Sequence, residues 1–162
     1  MPKFTPETVR KDSHDGVGHP CGAFEALLFS DSGGLTQFGA FVETLPPGSS
    51  SSIKHWHSSE DEMLYMLSGE VLVHEGGHTF TLQRGEAATF KAGAPLGHFV
   101  ENVSETSASY LMIGTRSSSD VVTYPENDRV LSFERGPDGE IKNRRYTTLS
   151  GEPADSPYLH ER

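Results

Sequence analysis

His55-Trp56-His57-Ser58-Ser59-Glu60-Asp61-Glu62-Met63-Leu64-Tyr65-Met66-Leu67-Ser68-Gly69 packs two imidazoles, a run of acids and an apolar segment into one short stretch. On a strand, side chains at i and i+2 share a face, so His55 and His57 lie side by side while Trp56 points away. Two neutral imidazoles with a carboxylate nearby make a borderline donor set for a first-row divalent ion. The acid within five residues of the second histidine raises a metal reading to the level of the structural one, in which each histidine is simply packed.

The sequence on either side is written in the same short pieces. β-Branched, aliphatic and aromatic runs recur every 8 to 15 residues, each closed by Gly, Pro or Ser, and none holds a helical period for three turns. Strands are expected near 24–29, 37–45, 53–57, 63–67, 70–74, 79–82, 87–90, 98–102 and 109–115. Between Val71-Leu72-Val73-His74-Glu75 and His78-Thr79-Phe80-Thr81-Leu82 stands Gly76-Gly77, which supplies the backbone freedom of a tight hairpin. Strands so short and regular suit an all-β jelly-roll barrel, a double-stranded β-helix.

After residue 116 the texture changes. Ser117-Ser118-Ser119-Asp120 reads as a loop and 123–128 as an irregular acidic segment. Residues 130–135, the turn Gly136-Pro137-Asp138-Gly139 and residues 141–148 form one more expected hairpin, and the last dozen residues a peripheral tail. The expected division is an N-terminal arm over 1–20, a barrel over 21–116 and a C-terminal extension over 117–162.

Composition removes several function classes. The 162 residues carry 13 basic and 23 acidic side chains, for a net charge of −10, with no Lys/Arg cluster to offset it. A phosphate-tracking nucleic-acid surface and an anionic-membrane surface are therefore not expected. The first fifteen residues lack the apolar core of a signal peptide, and Cys21 alone makes no internal disulfide, so a reducing cytoplasm is the expected location. Cys21 reads as a packed side chain.

A second cluster, Gly85-Glu86-Ala87-Ala88-Thr89-Phe90-Lys91-Ala92-Gly93-Ala94-Pro95-Leu96-Gly97-His98-Phe99-Val100-Glu101-Asn102, completes a pattern. Gly48, His55, His57, Glu62 and Gly69 follow the order of the first motif of the cupin superfamily, and Gly85, Gly93, His98 and Asn102 that of the second. The chain thus resembles a cupin. Two departures lie in one turn: Lys91 stands where the motif has proline, and four residues separate Gly93 from His98 where it has two. The stretches Gly34-Leu35-Thr36-Gln37-Phe38-Gly39, Leu45-Pro46-Pro47-Gly48, Gly114-Thr115-Arg116 and Val122-Thr123-Tyr124-Pro125 are similar to a group of single-domain bacterial cupins, some of them labelled sugar phosphate isomerases.

The resemblance implies one divalent transition metal per chain, Zn, Ni, Mn or Fe, held by His55, His57, Glu62 and His98. Glu62 is preferred over Glu60 and Asp61, which read as a solvated acidic turn, because it opens an apolar strand where an inward carboxylate needs a metal or hydrogen bonds. His14, His19, His74, His78 and His160 fall outside the motifs and are not expected as ligands. Leu64, Met66, Val100 and Asn102 share the ligands' parity and are expected to wall the pocket, with a turn role as the alternative for Asn102; Tyr65 and Trp56 face away.

Three functions fit this set. A Lewis-acid metal permits isomerisation or epimerisation of a sugar or sugar phosphate; Fe(II) in the same ligands permits a dioxygenase; and a metal-centred pocket without turnover is a small-molecule binding or sensing module. No acid or base is named by the sequence, and the cations near the motifs, Lys54, Arg84, Lys91 and Arg116, read as surface charges. A homodimer is expected, because a jelly roll exposes sheet edges that the terminal arms can cover.

Overall fold

A computed structural model describes residues 2–158; His160 lies outside them. Among these residues every strand pairing is antiparallel, in three sheets. The largest runs in the order β1 (Arg10–Asp15), β2 (Ala23–Leu28), β3 (Phe38–Leu45), β10 (Ala108–Thr115), β5 (Glu62–Ser68), β8 (Ala87–Phe90). A second orders β7 (His78–Gln83), β6 (Glu70–Glu75) and β9 (His98–Glu101). The third orders β13 (Ile141–Thr147), β12 (Arg129–Arg135), β11 (Ser119–Tyr124) and the two-residue β4 (Trp56–His57). This is the double-stranded β-helix that the strand pattern and the two motifs led us to expect.

The period of two explains the core. Leu64 and Met66 on β5, Val71 and Val73 on β6, and Val100 on β9 are fully or almost fully buried, and with Phe90, Leu45 and Tyr110 they form one cluster between the sheets. Outward neighbours such as Tyr65 stay exposed. Two glycines make the corners possible. Gly76 takes φ 57° in the hairpin closed by Glu75 and His78. Gly69 takes φ 70° between β5 and β6, where a Cβ would meet the Ser107 carbonyl oxygen at 2.8 Å.

Four expectations change. β1 is a strand where only an arm was expected; its sequence RKDSHD has no apolar alternation to reveal it, as suits an edge. β11 stands where a serine-rich loop was expected, because Val121, Val122 and Tyr124 follow those serines with good strand formers. The expected 53–57 strand shrinks to Trp56–His57, and the serines before it run beside β9, with Ser51 N–H donating to the Val100 carbonyl at 2.9 Å. Nor is the tail peripheral as far as Tyr158, whose hydroxyl accepts the Ile53 N–H at 3.2 Å. It joins Val122, Tyr124, Leu131 and Phe133 in a second, smaller apolar cluster.

Cys21 is buried, and no helix among the described residues is long and apolar enough to cross a membrane.

Candidate metal centre

Three strands deliver the candidate ligands. His57 ends β4, Glu62 opens β5 and His98 opens β9. His55 is drawn against His98 by reciprocal backbone bonds, His98 N–H to the His55 carbonyl at 2.8 Å and His55 N–H to the His98 carbonyl at 3.2 Å. The turn with the motif departures is docked rather than loose: Gly93 N–H donates to the His57 carbonyl at 2.9 Å, and Ala92 N–H to the Asp61 carboxylate at 2.8 Å. Asp61 is therefore an exposed turn cap.

All four side chains meet. The Nε2 atoms of His98, His57 and His55 lie 2.8, 3.7 and 3.9 Å from Glu62 Oε2. His55, Glu62 and His98 also offer ligand atoms within 4.8 Å of one another. The opposite edges of the rings are held. His55 Nδ1–H donates to the Ile53 carbonyl at 2.8 Å, and His57 Nδ1–H to Asp120 Oδ2 at 2.5 Å, tautomers that turn both Nε2 lone pairs toward Glu62. Phe90 stacks on His98 with centroids 3.8 Å apart.

The electrostatics follow from burial and pairing. Burial drives the His55 pKa down to about 4, which keeps its ring neutral. Burial also opposes charge on Glu62, but the bond from His98 and the neighbouring imidazoles outweigh it and bring its pKa to about 2. For His57 burial acts downward, and the bond to Asp120 with the Glu62 and Glu60 charges prevails, raising it. Three imidazoles and one carboxylate could hold a divalent transition metal; His98 now donates its Nε2 proton to Glu62 and could serve as a ligand only with that proton displaced.

The second grouping, His57 with Glu60 and Asp120, is already satisfied by protein. Asp120 accepts Ser58 Oγ–H and Ser59 N–H besides His57. Glu60 is buried, not solvated as expected, and pairs with Arg135 at 3.1 Å while accepting Ser117 N–H at 2.9 Å.

Cavities lie on both sides of the centre. An outer one of about 370 Å³ is walled by His55, His57, Tyr124, Phe133, Arg135 and Arg144, among others. An inner one of about 120 Å³ includes His55, Glu62, His98, Val100 and Glu43, whose carboxylate accepts the Tyr110 hydroxyl. Of the expected pocket wall only Val100 lines it. Leu64 and Met66 belong to the core, and Asn102 is a buried turn residue whose amide donates to the Leu45 and Thr106 carbonyls, each at 2.8 Å.

The remaining histidines and cations stand apart from this centre. His74 pairs with Glu101 at 3.0 Å and stacks on Phe99. His78 is exposed, and His14 and His19 contact each other. Lys54 is tied to Glu126 and the Gly76 carbonyl, Arg116 to Asp31, and Arg84 and Lys91 are exposed. Asp120, Tyr124, Arg135 and Arg144, which do reach the site, carried no spacing signal.

Residues 41–114 match the family model of the cupin domain, a span that includes every candidate ligand. These residues form a cupin domain. Among curated proteins, an oxalate-binding protein from Thermotoga maritima is 33% identical over 43% of this chain and 54% of its own length. A protein named "Probable oxalate decarboxylase" from Arthroderma benhamiae is 39% identical over 40% of this chain and 17% of its own. The chain thus spans about half of one relative's length and less than a fifth of the other's. Among solved structures, a sugar phosphate isomerase of the cupin superfamily from Silicibacter pomeroyi superposes with a TM-score of 0.79 at 24% identity, covering 98% of this chain and 100% of that one. That likeness extends the shared fold beyond the cupin domain to the C-terminal sheet.

Proposed function

We propose that the cupin holds one divalent transition metal, Zn, Ni, Mn or Fe, through His55, His57, Glu62 and His98, and isomerises or epimerises a small sugar or sugar phosphate in the outer cavity. The observation that carries this reading is the convergence of three imidazole nitrogens on one half-buried carboxylate oxygen, 2.8 to 3.9 Å away, with His55 and His57 lining a cavity sized for a small metabolite. A bound metal supplies Lewis-acid polarisation of a substrate carbonyl or hydroxyl. The chain's own residues do the rest. Asp120 fixes the His57 ring, and Glu60 restrains Arg135. Tyr124 lines the cavity with its ring 5.9 Å from that of His55, and burial raises its pKa, so it holds its proton and presents a donor to a substrate oxygen.

The test compares metals. Zn-loaded protein should turn over candidate sugars or sugar phosphates with oxygen uptake at background. Activity confined to Fe(II)-loaded protein, with oxygen consumed in step with substrate, would replace this reading with a dioxygenase.

A second reading, binding of a small carboxylate without turnover, draws on the relative named as oxalate-binding. Oxalate that raises the melting temperature of the metal-loaded protein, while no candidate sugar is converted with any metal, selects it. We further propose a cytoplasmic homodimer, since β1, β7 and β8 stand at sheet edges. Light scattering should give twice 17.7 kDa, and a monomer mass refutes the pairing.

A further inference from the structure

We infer that Arg144 is the anchor for an oxyanion, a carboxylate or phosphate, at one end of the ligand of the outer cavity. The inference deepens the proposed function and rests on it only for the place of the ligand's other end, at the metal.

Two arginines reach this cavity in a chain of net charge −10, and they differ in one respect. Arg135 is tied to a carboxylate: its Nη2 pairs with Glu60 at 3.1 Å and its Nη1 donates to the Gly139 carbonyl at 3.4 Å, while its buried Nε–H has no acceptor among the described residues. Arg144 has no carboxylate partner among the described residues. It donates Nη2–H to the Tyr146 hydroxyl at 2.8 Å and lies over that ring, 5.4 Å from its centroid, which leaves the rest of its fork available. A guanidinium fork matches the paired oxygens of carboxylate and phosphate, and stacking on an aromatic ring fixes its plane in advance.

The backbone also holds Arg144 in place. Along β12, Leu131, Phe133 and Arg135 alternate onto the cavity face. β13 answers with Tyr146 opposite Leu131, and its register then shifts between Ser132 and Glu134. That shift is a bulge in which Asn143 and Arg144 oppose Phe133. Asn143 takes φ 51°, a conformation that few side chains adopt, and its amide donates to the Glu134 carboxylate at 2.6 Å. Arg144, Tyr124, His55 and His57 line the same cavity, and Tyr124 feels the Arg144 charge and lies beside His55, with ring centroids 5.9 Å apart.

Calorimetry with inorganic phosphate and with oxalate, on metal-loaded wild type, Arg144→Gln, Arg144→Lys and Lys142→Gln, tests this. Wild type should bind at least one probe, and the tighter of the two identifies the headgroup. Arg144→Gln should weaken that probe by about tenfold or more, Arg144→Lys by less, and Lys142→Gln not at all. Metal content should be unchanged in all three variants. Binding within twofold of wild type in Arg144→Gln, or no binding of either probe to metal-loaded wild type, overturns the anchor. The two readings fail separately. If wild type takes up no metal and yet binds phosphate or oxalate in an Arg144-dependent way, the metal centre falls while the anchor stands.

Discussion

Glu62 and His98 sit on barrel strands whose sequence spacing announces them, whereas Asp120, Tyr124, Arg135 and Arg144 arrive on a C-terminal sheet with no spacing of its own. The barrel has a large apolar core and puts the ligands at one edge of it. The C-terminal sheet has a small cluster of four buried side chains and turns Arg135 and Arg144 to the cavity. One region makes a centre possible; the other orients His57 and sets the charge and shape of what can enter. β4 is the seam, pairing with β11 through Val122 and His57.

The largest effect expected from this division lies in the barrel. Leu64→Ala, at a fully buried position, should lower unfolding free energy by about 2–5 kcal/mol, and Leu131→Ala in the smaller cluster by less. Chemical denaturation measures both, and equal losses would erase the distinction between the two regions. Asn102→Ala comes next. It removes the amide donor to the Leu45 and Thr106 carbonyls and the acceptor of the Ser104 N–H, and should cost about 1–3 kcal/mol while leaving metal content alone. A fall in metal content there would make Asn102 part of the site.

Asp120→Asn sharpens the contrast from the other side. The barrel should keep its melting temperature to within a few degrees while metal affinity drops by about 10- to 100-fold, because the imidazole loses the carboxylate that fixes its tautomer. Competition with a chromogenic chelator gives the number, and unchanged affinity would reduce Asp120 to a structural pair. The smallest effect belongs to Tyr65→Ser on the outward face of β5, within about 0.5 kcal/mol of wild type.

Legibility in the sequence follows the same line. Period-two alternation and closing glycines located most barrel strands, and β8 (Ala87–Phe90) begins and ends where expected, because one face of each strand is buried and the other is not. Strand parity put His55 and His57 on one face, and the resemblance to the two cupin motifs implied the full set with Glu62 and His98. Asp120 could not be read, since 63 residues separate it from His57 and nothing local marks the contact. Its serine neighbours suggested a loop, although Ser117 N–H donates to Glu60 and the Ser118 carbonyl accepts the Arg135 N–H. β1 escaped for the opposite reason, being polar throughout. The arginines were invisible because β12 and β13 were legible as a hairpin but not as the wall of a site.

Metal content of the purified protein tests the central claim most directly. Elemental analysis after purification without chelator, or after incubation with Zn, Ni, Mn or Fe(II), should find about one divalent ion per chain. His57→Ala and His98→Ala should each lower that occupancy sharply, and His74→Ala, on a pair outside the centre, should leave it unchanged. No uptake of any of the four metals, or uptake that survives His98→Ala undiminished, would contradict the assignment of His55, His57, Glu62 and His98.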